Sequence, residues 1–221
     1  MIFSKIFQNR NLTLLWLGQM ISQSGDSIYQ IGLLWLVLEL SGSKSATGLV
    51  AMSSYLPAVL LSLFAGVTAD RYDRRRIMLL SDGARFLIVL IIPTAFLFGI
   101  LNPISLGINA FVLAIAATFF NPARDSFIPQ IIPKEGLLKA NSLIQTSWQF
   151  ALLLGPAIAG VLLHYLGNIQ LFTACAFSYL ISFAFIFLIR PHASTESNKK
   201  HPPGLSEIKD GLLYAIKHRV I

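Results

Sequence analysis

Apolar residues run along this chain in six long tracts, Leu12 to Leu38, Ala46 to Ala69, Ile77 to Leu101, Ile104 to Phe120, Ala140 to Leu166 and Ile169 to Ile189. Each comes close to or exceeds the roughly 20 helical residues needed to cross a hydrocarbon layer about 30 Å thick. The breaks between them carry turn chemistry: Ser41-Gly42-Ser43, Asn102-Pro103 and Gly167-Asn168. Links this short make successive helices antiparallel neighbours, so the pattern predicts an all-α membrane protein of six spanning helices.

Composition agrees. Of 221 residues 55% are hydrophobic and 12% charged, where soluble domains carry about a quarter charged residues; mean hydropathy is +0.68. A chain this apolar cannot clothe itself for water, and its solvent must be lipid. The net charge of +7 would suit a nucleic acid only if the basic residues formed one face. Instead they sit between the apolar tracts: Lys5 and Arg10 before the first, Arg71, Arg74, Arg75 and Arg76 after the second, Arg124, Lys134 and Lys139 around the fourth link, and Arg190, Lys199, Lys200, Lys209, Lys217 and Arg219 after the sixth. Lys44 alone falls in an alternate link, and Arg85 lies inside the third tract. Positive residues are retained on the cytoplasmic side, so a multi-pass protein of the cell membrane with both termini of this segment cytoplasmic is expected, in contact with lipid and not nucleic acid. The apolar first tract lacks a signal-type cleavage site and reads as a retained span. Cys175, the single cysteine, excludes an internal disulfide and is expected to pack.

After Arg190 the character changes. His192 to Pro203 is polar and cannot bury a core, whereas Leu205, Ile208, Leu212 and Ile216 recur at helical spacing. Two regions are therefore expected: a bundle over 1–190, and over 191–221 a cytoplasmic linker with an amphipathic surface helix leading to an absent second half.

The link between tracts two and three reads Gly66-Val67-Thr68-Ala69-Asp70-Arg71-Tyr72-Asp73-Arg74-Arg75-Arg76. It resembles the G-x-x-x-D-R-x-x-R-R hallmark of the major facilitator superfamily, in the same topological slot. Asp70 stands at the negative end of its own helix and calls for a compensating partner, a nearby arginine or the N-terminus of another helix. The resemblance implies that this partner lies in the opposite half and that the contact governs the change between inward-open and outward-open states. In the fifth tract Gly155-Pro156 with Gly160 resembles the G-P-x-x-G-G pattern of exporters working by antiport, with Ala151 and Ala159 where glycine is common; Ala151, Gly155 and Ala159 also form a small-residue face. The stretch from Phe120-Asn121-Pro122-Ala123-Arg124 to Asn141, with Gly25-Asp26 and Leu56-Pro57, is similar to the macrolide-efflux and enterobactin-exporter branch. The resemblance implies a fold in which two six-helix bundles rock about a central site, driven by an ion gradient, protons foremost.

Gln19, Gln23, Asp26 and Gln30 lie within about 60° of one helical face. A central Asp facing lipid costs about 2.5 to 3.5 kcal/mol on insertion scales, so the stripe is expected to face the bundle interior or a watery cavity. Asn141, Gln145 and Trp148 repeat the pattern in the fifth tract, which the superfamily also places along the cavity. Together these residues offer hydrogen bonds and an aromatic face to a small amphipathic molecule such as a drug or siderophore; polar contact between helices is the alternative. Asp26 is the candidate for proton coupling or cation recognition, since spans two, four, five and six hold no comparable acid. Asp82 and Arg85, three apart, are placed to pair on the third helix, and His164 near the end of the fifth reads as interfacial. There is no P-loop, zinc-protease or nucleophile-elbow motif, so neither an enzyme nor a cofactor is expected. A truncated or accessory membrane subunit without independent transport stays open as the alternative to a secondary transporter.

Overall fold

The computed structural model describes residues 9–190, and all regular structure among them is helical. α1 spans Arg10–Ser41, α2 Lys44–Arg71, α3 Arg74–Leu97 and α4 Pro103–Ile131; a 3-10 turn, Lys134–Gly136, precedes a last helical tract, Leu137–Leu188. That tract is not one rod. Gly167 sits at φ 79°, ψ 174°, a conformation only glycine adopts freely, and it divides α5 (137–166) from α6 (168–188). The linker and amphipathic helix expected beyond Arg190 lie outside the described residues.

Local chemistry sets most ends. Asn9 caps α1 by accepting from the amides of Asn11 and Leu12, and Gly42 closes it at φ 60°. Ser43 caps α2 and Asp73 caps α3. Asn102 and Ser105 form a reciprocal capping box ahead of α4, with Pro103 at its first turn.

Side-chain contacts give the directions. Along α1, Gly18, Gly25 and Gly32 face Ser182, Ser178 and Leu171 in turn, so α6 runs antiparallel to α1. Trp16 donates to Ser147 and Gly155 faces Ser27, so α5 runs parallel to it. The chain therefore reverses at Gly167. Pairings of α4 with α1, Tyr29 with Asn109 and Gln19 with Arg124, are antiparallel. From α4 to α6 successive helices thus alternate in direction.

Among the described residues four helices are long and apolar enough to cross a membrane: Lys44–Arg71, Arg74–Leu97, Pro103–Ile131 and the broken Lys134–Leu188. At 1.5 Å per residue the last would be about 80 Å long if straight. α1, although 32 residues long, carries the polar stripe and falls outside this apolar set. The third helix ends at Leu97, short of Leu101, and the largest difference from expectation lies in the fourth. The fourth helix does not stop at Phe120 but continues to Ile131 through Pro122 and Pro129. Phe120, Ala123, Phe127 and Ile131 recur at helical spacing and are all buried, and Asn9 Nδ2 donates to the Ile131 carbonyl at 2.8 Å. Burial of that face outweighs the donors lost at the prolines.

The interior is stratified. One apolar cluster gathers Leu12, Leu15, Met78, Phe127 and Ile186; a second gathers Leu33, Val89, Leu106 and Phe172. Between them lies a layer of buried polar side chains, Gln19, Ser22, Gln23, Asp82, Arg85 and Ser182.

Candidate functional site

The polar layer is centred on Arg85, a guanidinium only 2% exposed. α3 brings it inward beside Asp82 one turn earlier, whose Oδ1 accepts from Arg85 Nη1 at 3.1 Å. Across the α1–α3 interface Arg85 Nη2 pairs with Asp26 Oδ1. The same Asp26 oxygen accepts from the Tyr179 hydroxyl of α6 at 2.8 Å. The guanidinium stacks over Tyr179, 4.2 Å from the ring centroid, with Phe120 of α4 at 5.7 Å. Four helices thus enclose one cation and two carboxyls. The carboxyls differ in access: Asp82 is wholly buried, whereas the Asp26 side chain is 45% exposed.

Two cavities meet at Asp26. The smaller, about 70 Å³, is lined by Gln19, Ser22, Gln23, Asp26, Arg85, Phe120 and Trp148 among others, and it is large enough to admit water. The larger, about 290 Å³, is lined by Asp26, Tyr29, Gln30, Ser54, Tyr55, Leu113 and Trp148 among others. Asp26, Ala117 and Trp148 belong to both. The α1 stripe therefore faces cavity and interior, as its spacing requires. Gln23 donates to Gln19 Oε1 at 3.2 Å, and Arg124 Nη1 reaches the same oxygen at 3.1 Å. Buried Gln19 Nε2 and Gln23 Oε1 have no partner, leaving polar groups to spare next to the small cavity.

Of the three α5 residues the sequence singles out, Trp148 lines these cavities, with Leu152 beside it at the larger one; Asn141 and Gln145 are exposed on the same helix and line neither. The exporter-type residues divide similarly. Gly155 is buried, and a Cβ there would collide with Ser27 of α1, whereas Gly160 is exposed with open space around it. Ala151 and Ala159 are buried on the Gly155 face, which is the seam between α5 and α1.

In the switch motif, Asp70 and Arg71 are exposed, and Asp70 has neither ion pair nor hydrogen bond to another side chain among the described residues. A Cβ on Gly66 would meet nothing. Arg75 is engaged: its guanidinium donates to the carbonyls of Ile186 and Phe187 at the end of α6 and lies 5.7 Å from the Phe187 ring, a favourable place for a cation. Arg74 is half-buried, with its Nε unpartnered.

Three contributors escaped the sequence reading. Tyr179 is one of several hydroxyls in its apolar tract, Arg124 enters the sequence pattern through orientation and the exporter-branch resemblance but not as a site residue, and Asn109, which accepts from Tyr29 at 3.0 Å and donates to the Ile88 carbonyl, stands alone in its tract. A polar side chain amid apolar neighbours is the available signal for Asn109.

Residues 4–221 match the family model described as transmembrane secretion effector. The chain belongs to this family, within the major facilitator superfamily. Members of the family are transporters, and the chain is a membrane protein. It is 30% identical over 186 residues to the multidrug efflux pump Tap of Mycolicibacterium fortuitum, covering 81% of this chain and 45% of that protein. The staphyloferrin A transporter of Staphylococcus aureus is 31% identical over 159 residues, covering 72% and 40%. An uncharacterized transporter of Bacillus subtilis, YkuC, is 27% identical over 226 residues, covering 98% and 52%. The chain spans about half the length of the curated relatives it matches.

Proposed function

We propose that this chain forms the first six-helix half of a secondary transporter that exports a small amphipathic molecule, a drug or siderophore, in exchange for protons. The observation that carries the reading is Asp26: a half-exposed acid at the junction of two cavities, held by a buried arginine at mid-depth of the bundle. An intramembrane acid is costly unless it serves an ion or substrate path, and Gln19, Gln23, Gln30 and Trp148 supply hydrogen bonds and an aromatic face around it. Asn141 and Gln145, exposed on α5, are read as facing the opposite half across the central cavity. Asp70, unpaired among the described residues, and Gly66, with open space beside it, are read as the near side of the state-dependent lock, with Arg71, Arg74 and Arg75 as its basic surround. Gly155, Pro156 and Gly160 give α5 its close seam and its exporter-type bend.

In this reading α1 to α6 each cross the membrane once, residues 1–190 form the bundle, and 191–221 lead along the cytoplasmic surface to a second half. A reporter active only in the cytoplasm should fluoresce or turn over when fused after Arg76 or Lys200 and be silent after Gly42 or Gly167. The reverse pattern would invert the topology.

The coupling role is tested by Asp26→Asn in the full-length protein, since Asn keeps size and hydrogen bonding but cannot exchange a proton. Cells are loaded with a panel of amphipathic dyes and macrolides, with and without a protonophore. The wild-type protein should lower accumulation of at least one compound in a protonophore-sensitive way, and the variant, inserted at normal levels, should accumulate it like cells lacking the protein. Undiminished proton-driven extrusion by Asp26→Asn would remove Asp26 as the coupling group.

A further inference from the structure

The two acids that share Arg85 are not equivalent. Asp26 Oδ1 accepts from both Arg85 and the Tyr179 hydroxyl, and the rest of its carboxyl reaches the cavities. Asp82 has no exposure, one hydrogen bond at Oδ1, and an Oδ2 with no partner. Beside it lies Ser182 of α6, fully buried, whose Oγ also lacks a partner of good geometry. Among the described residues Arg85 is the one cation paired with these acids. The remaining groups packed around it are Asp26 from α1, Tyr179 and Ser182 from α6 and the Phe120 ring from α4.

Ionising both acids would leave one cation against two carboxylates, one of them, Asp82, wholly enclosed between two apolar clusters. A buried charge without compensation is strongly unfavourable, and a buried carboxylate oxygen without a donor adds the desolvation penalty of an unmade bond. A proton on Asp82 Oδ2 removes both problems. The Asp26–Arg85 pair becomes neutral, Asp82 Oδ1 still accepts from Arg85, and the new O–H can donate to Ser182 Oγ.

We propose that Asp82 holds a proton in this conformation and is a second, enclosed station of the coupling site, with Arg85 as the residue that positions both acids. When the Oδ2–H bond breaks and the proton passes to water, the Asp82 carboxylate competes with Asp26 for the guanidinium. Asp26 then presents more of its charge to the cavities. Loss of a proton from a closed position is thereby felt where a transported molecule would sit. The role in transport rests on the proton-coupled reading; the location of the proton does not.

Infrared spectroscopy of the purified full-length protein near neutral pH tests the location. The other acids among the described residues, Glu39, Asp70, Asp73, Asp125 and Glu135, are exposed, and the contribution of the buried pair is read as the protonated-carboxyl carbonyl component that differs between the wild type and its variants. This component is expected in the wild type and lost in Asp82→Asn. Ser182→Ala, which leaves both acids in place, should move the band by removing its hydrogen-bond acceptor, and this decides the matter if Asp82→Asn does not fold. A protonated-carboxyl band unchanged by Asp82→Asn, indifferent to Ser182→Ala or missing from the wild type would overturn the proposal. The spectrum is read without any transported molecule, so its failure is separate from failure of the extrusion experiment.

Discussion

Arg85→Met is expected to lower the stability of the bundle by about 3 to 5 kcal/mol, the cost of removing one partner from a buried pair. Methionine fills much of the same volume between Tyr179 and Phe120, so the loss isolates charge from packing. Asp26 is partly open to the cavities, and water reaching it should hold the effect toward the lower end. The measurement is unfolding of purified protein in detergent, followed by helical signal. Adding Asp26→Asn to Arg85→Met should recover most of the loss, because it removes the stranded carboxylate; adding Asp82→Asn instead should recover little, if Asp82 already carries a proton. Equal instability in the methionine single variant and in the triple neutral variant would mean that Arg85 matters through its stacking on the two rings and not through its charge.

How much of this was legible beforehand depends on the range of each interaction. The α1 stripe was readable because helical periodicity alone puts Gln19, Gln23, Asp26 and Gln30 on one face, and an acid there must avoid lipid. The Asp82–Arg85 pair was readable for the same reason, three residues apart on one helix. Their union with Asp26 was not, since nothing in local spacing tells which face of α3 meets which turn of α1. The stop of α4 was misplaced because Asn121-Pro122 has the chemistry of a break, and only the tertiary burial of Ala123, Phe127 and Ile131 makes the helix continue. Gly18, Gly25 and Gly32, seven apart, were a visible pattern whose meaning came only with α6 packed against them. For Asn141 and Gln145 the pattern matched the stripe on α1, yet the described chain leaves both exposed and, of that α5 set, places only Trp148 at the cavities.

That glycine stripe carries the second large effect. In lipid there is little hydrophobic drive between helices, so a seam depends on how closely the backbones approach. A Cβ on Gly25 would overlap the Ser178 side chain, and one on Gly32 would come within 2.6 Å of Leu171 Cδ2. Leu171 can rotate its terminal methyl away, but the Ser178 Cβ moves only with α6 itself. Gly25→Val should therefore force α1 and α6 apart and cost about 3 kcal/mol or more, at or above the usual range for overpacking. It should also disturb the site, because Tyr179 follows Ser178 and holds Asp26 across the same seam. Gly25→Ala should cost less, and Ser178→Gly added to it should restore part of the loss, since it clears the obstructing atoms while adding a helical glycine worth about 1 kcal/mol against stability. Gly160→Ala, with open space around it, is the control and should be neutral or slightly stabilising. The readout is unfolding in detergent alongside the monodisperse yield of each variant. A Gly25→Ala variant as stable as Gly160→Ala, or one that Ser178→Gly fails to improve, would show that α1 and α6 do not meet at this distance, and the placement of Tyr179 on Asp26 would fall with it.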